Sequence, residues 1–160
     1  MAINPATAKR DIFNFLKWFK KTEKNYKGQP AWGDIMQVNG LLLRLMDEWR
    51  EEVGASCTIH AAYETTGHGS ASEHGRGDAI DCHFNKSISL YKAYMALQKV
   101  LTKYNLQDRV GIGVYFWWAN PGFHFDLRGF GLTWYSETSG NYVYDKAGAI
   151  ARMKIRAGIK

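Results

Sequence analysis

Hydrophobic positions along the chain follow two periods, and the change from one to the other divides the sequence. Over 7–24 the apolar residues Ile12, Phe15, Leu16 and Phe19 recur at helical spacing with lysines on the other side, which predicts an amphipathic helix. Pro30 and Gly33 interrupt it. A second helix is predicted over 34–53, with Ile35, Val38, Leu42, Leu45 and Trp49 along one face and Gly54 as its stop. From Ser56 the chain turns β-prone: 56–63 and 78–84 read as strands around a loop rich in Gly, Ser and Thr at 64–77. Ser87 is placed to cap a third helix with the stripe Leu90, Tyr94, Leu97, Leu101 and Tyr104. Strands follow at 109–116, 122–127 and 132–135, and a short basic helix at 147–156. Helices gathered before and between antiparallel strands define an α+β fold, a small antiparallel sheet packed against several helices. No linker, low-complexity tract or repeat interrupts residues 1–160, which read as a single domain.

Composition narrows this picture only a little. Hydrophobic residues are 46% and charged residues 22% of the chain, ordinary for a globular domain. The net charge of +6 favours polyanionic surroundings, nucleic acid or an anionic cell envelope. The basic residues concentrate only at 17–27 and 152–160, and no nucleic-acid signature accompanies them. No specific nucleic-acid partner is therefore expected. Two cysteines, Cys57 and Cys82, make no disulfide framework and read as buried free thiols. The first residues lack an apolar stretch suited to a signal peptide, and no run reaches membrane-spanning length. Synthesis in a cytosol without a transmembrane segment is the expectation.

Two segments carry candidate chemistry. In Ser72-Glu73-His74-Gly75-Arg76-Gly77-Asp78-Ala79-Ile80-Asp81, His74 lies in a glycine-flanked loop and Asp81 on the strand after it. Strand alternation places Ala79, Asp81 and His83 on one face, with the small Ala79 leaving room beside the carboxylate. In Gly122-Phe123-His124-Phe125-Asp126-Leu127-Arg128 the alternation is strict, His124, Asp126 and Arg128 facing away from a core-packed apolar face. A single strand histidine is most often a hydrogen-bonded residue rather than a ligand, and Asp-rich turns usually cap or take water. If the two strands are neighbours, however, His74, Asp81 and His124 converge, and two His with one Asp plus water is a catalytic zinc sphere.

The spacing Ser72-x-His74-x-x-Gly77-x-Ala79-x-Asp81 resembles the SxHxxGxAxD signature of the zinc D-alanyl-D-alanine carboxypeptidase and L-alanyl-D-glutamate endopeptidase family. That family shares its metal-site plan with the vancomycin-resistance D,D-peptidases and the Hedgehog signalling domain. All five signature positions match, and Phe123-His124-Phe125-Asp126 resembles the members whose third ligand lies in a His-x-Asp element. The resemblance covers roughly 56–128 and implies Zn2+ held by His74, Asp81 and His124, with Ser72, Gly77 and Ala79 shaping the ligand loop. It also implies hydrolysis of stem or cross-bridge peptides of bacterial peptidoglycan, as in a phage endolysin or related wall hydrolase. Such an enzyme would reach the anionic wall after lysis, in a virion or by separate export.

Two departures from the family stand out. Better-known branches carry a Glu or Asp three residues before the last ligand, or a His two before it; here Pro121 and Gly122 occupy those places. Asp126 is the candidate general base in their stead, or else it only orients His124. Glu64, Glu73 and His68 are the loop-borne alternatives. Tyr63-Glu64-Thr65 replaces a Tyr-Arg-Ser whose Arg binds a substrate carboxylate, leaving Arg76 and Arg128 as candidates and favouring endopeptidase over carboxypeptidase action. Tyr115, Phe116, Trp117 and Trp118 are candidate groove residues, Tyr115 and Trp118 foremost, or in part a buried cluster, while His60 and His83 read as structural. Loss of the acid before His124 also admits a catalytically idle module that keeps zinc and binds wall peptide.

Overall fold

The computed structural model describes residues 13–67 and 71–160. Strands β1 (Cys57–Ala61), β2 (Ala79–Phe84), β3 (Gly111–Tyr115), β4 (Gly122–Asp126), β5 (Leu132–Thr138) and β6 (Asn141–Val143) form one sheet in the order β1-β2-β4-β3-β5-β6. All neighbouring pairs are antiparallel except β3 with β5, which run parallel. Helices α1 (Gly40–Val53), α2 (Leu90–Lys103) and α3 (Lys146–Arg156) complete an α+β domain. Among the described residues no helix is long and apolar enough to cross a membrane.

Trp49 shows why the helices share the inner face of the sheet. Its ring meets Phe84, Phe123 and Phe125 edge-on at centroid distances of 4.9, 5.3 and 6.0 Å, and its Nε1 donates to the Ala93 carbonyl at 2.7 Å. One side chain of α1 thus joins α2, β2 and β4, and the buried indole satisfies its only donor. Ile80 and Cys82 point into the same core, so alternation sends Asp81 and His83 to the outer face. Cys57 and Cys82 are buried and free, as expected.

Several boundaries differ from those the pattern predicts. The second helix starts at Gly40 rather than at 34, because Asn39 caps it through its side chain to Leu41 N, and 34–39 turn instead. Its stop at Gly54, in the left-handed region at φ 71°, is as predicted. Of the helix predicted over 7–24, only 13–15 are helical among the described residues; 7–12 lie outside them. Beyond it the buried Asp47 carboxylate accepts the backbone N–H groups of Lys17, Trp18 and Phe19 at 2.9, 2.8 and 3.3 Å, drawing them out of a helical ladder. Phe15, placed on the apolar stripe, is 78% exposed. Ser89, not Ser87, caps α2 by accepting from Lys92 N.

α1 and α2 are also joined by charge. Glu48 accepts from Arg44 Nε at 2.9 Å, from Lys103 Nζ at 2.8 Å and from the Tyr104 hydroxyl. Burial alone would raise its pKa, but these three donors bring it down to about 2. A folded pKa below the unfolded one means stability that is present above about pH 4.3 and lost as pH falls through about 2. Glu48→Gln is therefore expected to cost about 1–3 kcal/mol at neutral pH, read from the urea midpoint, with the gap to the parent protein closing near the folded pKa.

Candidate metal centre

The ligand loop is built before the ligands meet. Ser72 Oγ accepts from His74 N at 3.3 Å and caps a 3-10 turn at Glu73–Arg76. That turn ends on Gly77 at φ 73°, where a Cβ would fall 1.9 Å from the Gln37 carbonyl oxygen. Only glycine lets the loop press this closely on the segment before α1, and Asn39 N donates to Gly77 O at 2.9 Å to fasten it. Ser72 and Gly77 thus hold the loop, as the pattern predicts. Ala79 is fully buried opposite Asp126 on the same face as Asp81.

β2 and β4 are neighbours, and the register pairs Asp81 directly with His124. The third side chain arrives from the loop. His124 Nδ1 lies 2.8 Å from Asp81 Oδ1, and His74 Nε2 lies 3.3 Å from His124 Nδ1 and 3.4 Å from Asp81 Oδ1. Ligand atoms about 2.0–2.1 Å from a tetrahedral cation would stand roughly 3.3 Å apart, close to the two separations from His74 and wider than the 2.8 Å between His124 and Asp81. The group His74, Asp81 and His124 can hold a metal ion.

Outer partners fix which nitrogens face inward. His74 Nδ1 donates to the Ala62 carbonyl at 2.7 Å, and His124 Nε2 donates to Asp126 Oδ2 at 2.8 Å. A carbonyl and an ionised carboxylate can only accept, so each ring keeps its proton outside and turns the other nitrogen toward Asp81. Burial alone would lower the His124 pKa, but its bonds to Asp126 and Asp81 raise it to about 9. Burial likewise opposes ionisation of Asp81, yet His124 and His74 hold its carboxyl well below the usual carboxylate range. A cation taken up at His124 Nδ1 displaces a proton held there.

Asp126 sits behind the cluster rather than in front of it. It is fully buried, grips the far side of the His124 ring, and its oxygens also accept from Arg128 N and Nε at 3.1 and 2.8 Å and from Nη2 at 2.5 Å. Of the two roles open to it in the sequence, orienting His124 is the one this placement favours. Arg128 is correspondingly committed, its guanidinium also stacked 4.9 Å over Trp134. Arg76 lies on the outer side of the loop, 57% exposed and paired with Glu73, away from the groove. His68 lies outside the described residues.

β3 is hollowed to accommodate this arrangement. A Cβ on Gly111 would lie 2.4 Å from Arg128 Nε and 2.5 Å from Asp126 Oδ2, and one on Gly113 would lie 2.6 Å from the Trp134 ring. Trp134 in turn leans on His124 at 5.3 Å. Gly111→Ala is expected to break the Asp126–Arg128 pairing and weaken metal binding by roughly ten- to a hundredfold without touching a ligand, as read by competition with a chelator.

Two cavities of about 470 Å³ each flank the cluster, and both are bordered by Asp81, Trp117 and Trp118. On one side lie Glu73, His74, Tyr115, His124, Trp134 and Tyr142; on the other lie Lys27, His60, Glu64 and His83. The first cavity has all three ligands in its wall, and among them only Asp81 reaches the second, the two forming a groove along Asp81, Trp117 and Trp118, with Tyr115 stacked on Trp118 at 4.5 Å. Tyr115 and Trp118 are therefore where the sequence places them. Trp117 borders both cavities as well, while Phe116 is buried in the core; Trp134 and Tyr142 were not foreseen, and the Gly-x-Gly of β3, which makes room for Trp134, was the available signal. His60 and His83, expected to be structural, face the groove with ring nitrogens 2.5 Å apart. Burial lowers the pKa of both, His60 to about 4 with His83 adding to the effect.

No protein family, curated protein or solved structure matches the chain in comparisons with each. The functional reading rests on the site itself.

Proposed function

We propose that the chain is a zinc-dependent hydrolase of peptide bonds in bacterial peptidoglycan, acting on stem or cross-bridge peptides in the manner of an endolysin. The observation that carries this reading is the convergence of His74, Asp81 and His124 in the wall of an aromatic-lined cavity, each imidazole with its outer nitrogen donating to a fixed acceptor. Two His, one carboxylate and access from solvent describe a catalytic zinc site rather than a closed structural one. Zinc bound there supplies Lewis acidity toward a scissile carbonyl and makes water nucleophilic near neutral pH.

The chain's own residues do the rest. Asp126, clamped by Arg128, keeps the His124 ring in place and its Nδ1 basic. Trp117 and Trp118 form a wall along which an extended peptide can lie across both cavities. Glu64 and Glu73 border the groove on opposite sides of the ligands and are the carboxylates placed to move a proton. One of Glu64→Gln and Glu73→Gln should keep zinc and lose about 10²–10⁴-fold in turnover. The positive net charge suits residence on an anionic wall.

The test is digestion of purified peptidoglycan by the zinc-loaded protein, followed by mass spectrometry of the released fragments. New peptide termini identify the bond that is cut. Zinc retention with no new termini would overturn the hydrolase reading and favour a zinc-containing module that binds wall peptide, the role suggested by Pro121 standing where branches of the family it resembles carry an acid.

A further inference from the structure

Two histidines of neighbouring strands share the outer face of the sheet. The register of β1 with β2 runs Thr58 with His83 and Ile59 with Cys82, then shifts so that Ala61 pairs with Asp81. Cys57 and Ile59 are buried, so alternation turns Thr58 and His60 outward, to the face that carries His83. There Tyr26 meets the His60 ring edge-on at 5.2 Å and Trp118 lies against it at 4.8 Å. Its Nε2 stands 2.5 Å from Nδ1 of His83, on the neighbouring strand.

We propose that His60 Nε2 and His83 Nδ1 are paired ligands of a second divalent-cation site, set beside the first in the same groove and suited to the transition metals that imidazole prefers. The separation is shorter than a normal hydrogen bond between ring nitrogens. Two nitrogens sharing one tetrahedral cation stand roughly 3.3 Å apart, so the rings need part by less than about 1 Å. The pair borders a cavity of about 470 Å³, which leaves water room to fill the remaining coordination positions. Asp81 and Glu64 border the same cavity and place negative charge near the incoming cation. With two protein ligands rather than three, this site binds more weakly than the first. It does not depend on the hydrolase reading, since its signature is metal uptake alone.

The experiment is calorimetric titration of the metal-stripped full chain with zinc chloride. The parent protein is expected to take up a tight equivalent and then a weaker one. His60→Gln and His83→Gln should each lose the weaker event and keep the tight one, while His124→Ala should do the reverse. A single equivalent in the parent protein, or a weaker event that survives both glutamine variants, would overturn the proposal. If either glutamine variant fails to fold by circular dichroism, the double variant His74→Ala/His124→Ala, which removes two of the three first-site ligands, decides: one weak equivalent supports the second site, and none overturns it.

Discussion

His124→Ala is expected to lose both tight zinc and all measurable turnover while remaining folded. The ring is the meeting point of the whole centre, contacting Asp81, His74 and Asp126 at once. Apparent zinc free energies of about 10–16 kcal/mol, shared over four ligands, assign about 2.5–4 kcal/mol to each, or roughly sixty- to several-hundredfold in affinity for one ligand lost. Folding should survive, because β4 is held in the core by Phe123 and Phe125 on the opposite face, packed on Trp49. Asp126 also keeps Arg128 as its partner once the imidazole has gone. Chelator competition, far-ultraviolet circular dichroism and wall digestion on one preparation separate these effects. Undiminished zinc affinity in this variant would contradict the assignment of the ligands.

The second large effect concerns Asp126→Asn, where orientation of His124 and general-base catalysis predict opposite results. A positioning carboxylate, buried behind His124 and clamped by Arg128, affects chemistry through the metal. Its amide variant should bind zinc about ten- to a hundredfold more weakly and recover most of its turnover when zinc is saturating. A general base would give the reverse pattern, with unchanged zinc affinity and a kcat that saturating zinc does not restore. Measuring kcat as a function of free zinc distinguishes them. The geometry predicts the first pattern.

The ligand set was legible in the sequence because it depends on spacing and strand period, which are local. Alternation along β2 and β4 is enough to put Asp81, His124 and Asp126 on one face. What alternation could not supply is the covering of that face: every residue of β4 is buried, because Trp134 and Arg128 close over its polar side. The parts that escaped prediction depend on partners distant in sequence. α1 begins late because the turn before it is engaged with Gly77 and Asp78 of the ligand loop, Asn39 Nδ2 donating to Asp78 Oδ1 at 2.7 Å. The helix predicted over 7–24 is broken by Asp47, some thirty residues further on. β6 is exposed on both faces and carries no apolar alternation to reveal it. His60 shares the outer face with Thr58 by alternation, but its meeting with His83 depends on the pairing of β1 with β2, which the pattern of either strand alone does not give.

The assignment at the centre of this account is tested most directly by zinc-edge X-ray absorption on protein carrying one equivalent of metal. The predicted spectrum has nitrogen and oxygen scatterers at about 2.0–2.1 Å, with the multiple scattering of two imidazoles and no sulfur. Sulfur at about 2.3 Å, implicating Cys57 or Cys82, or a shell of water alone, would contradict it.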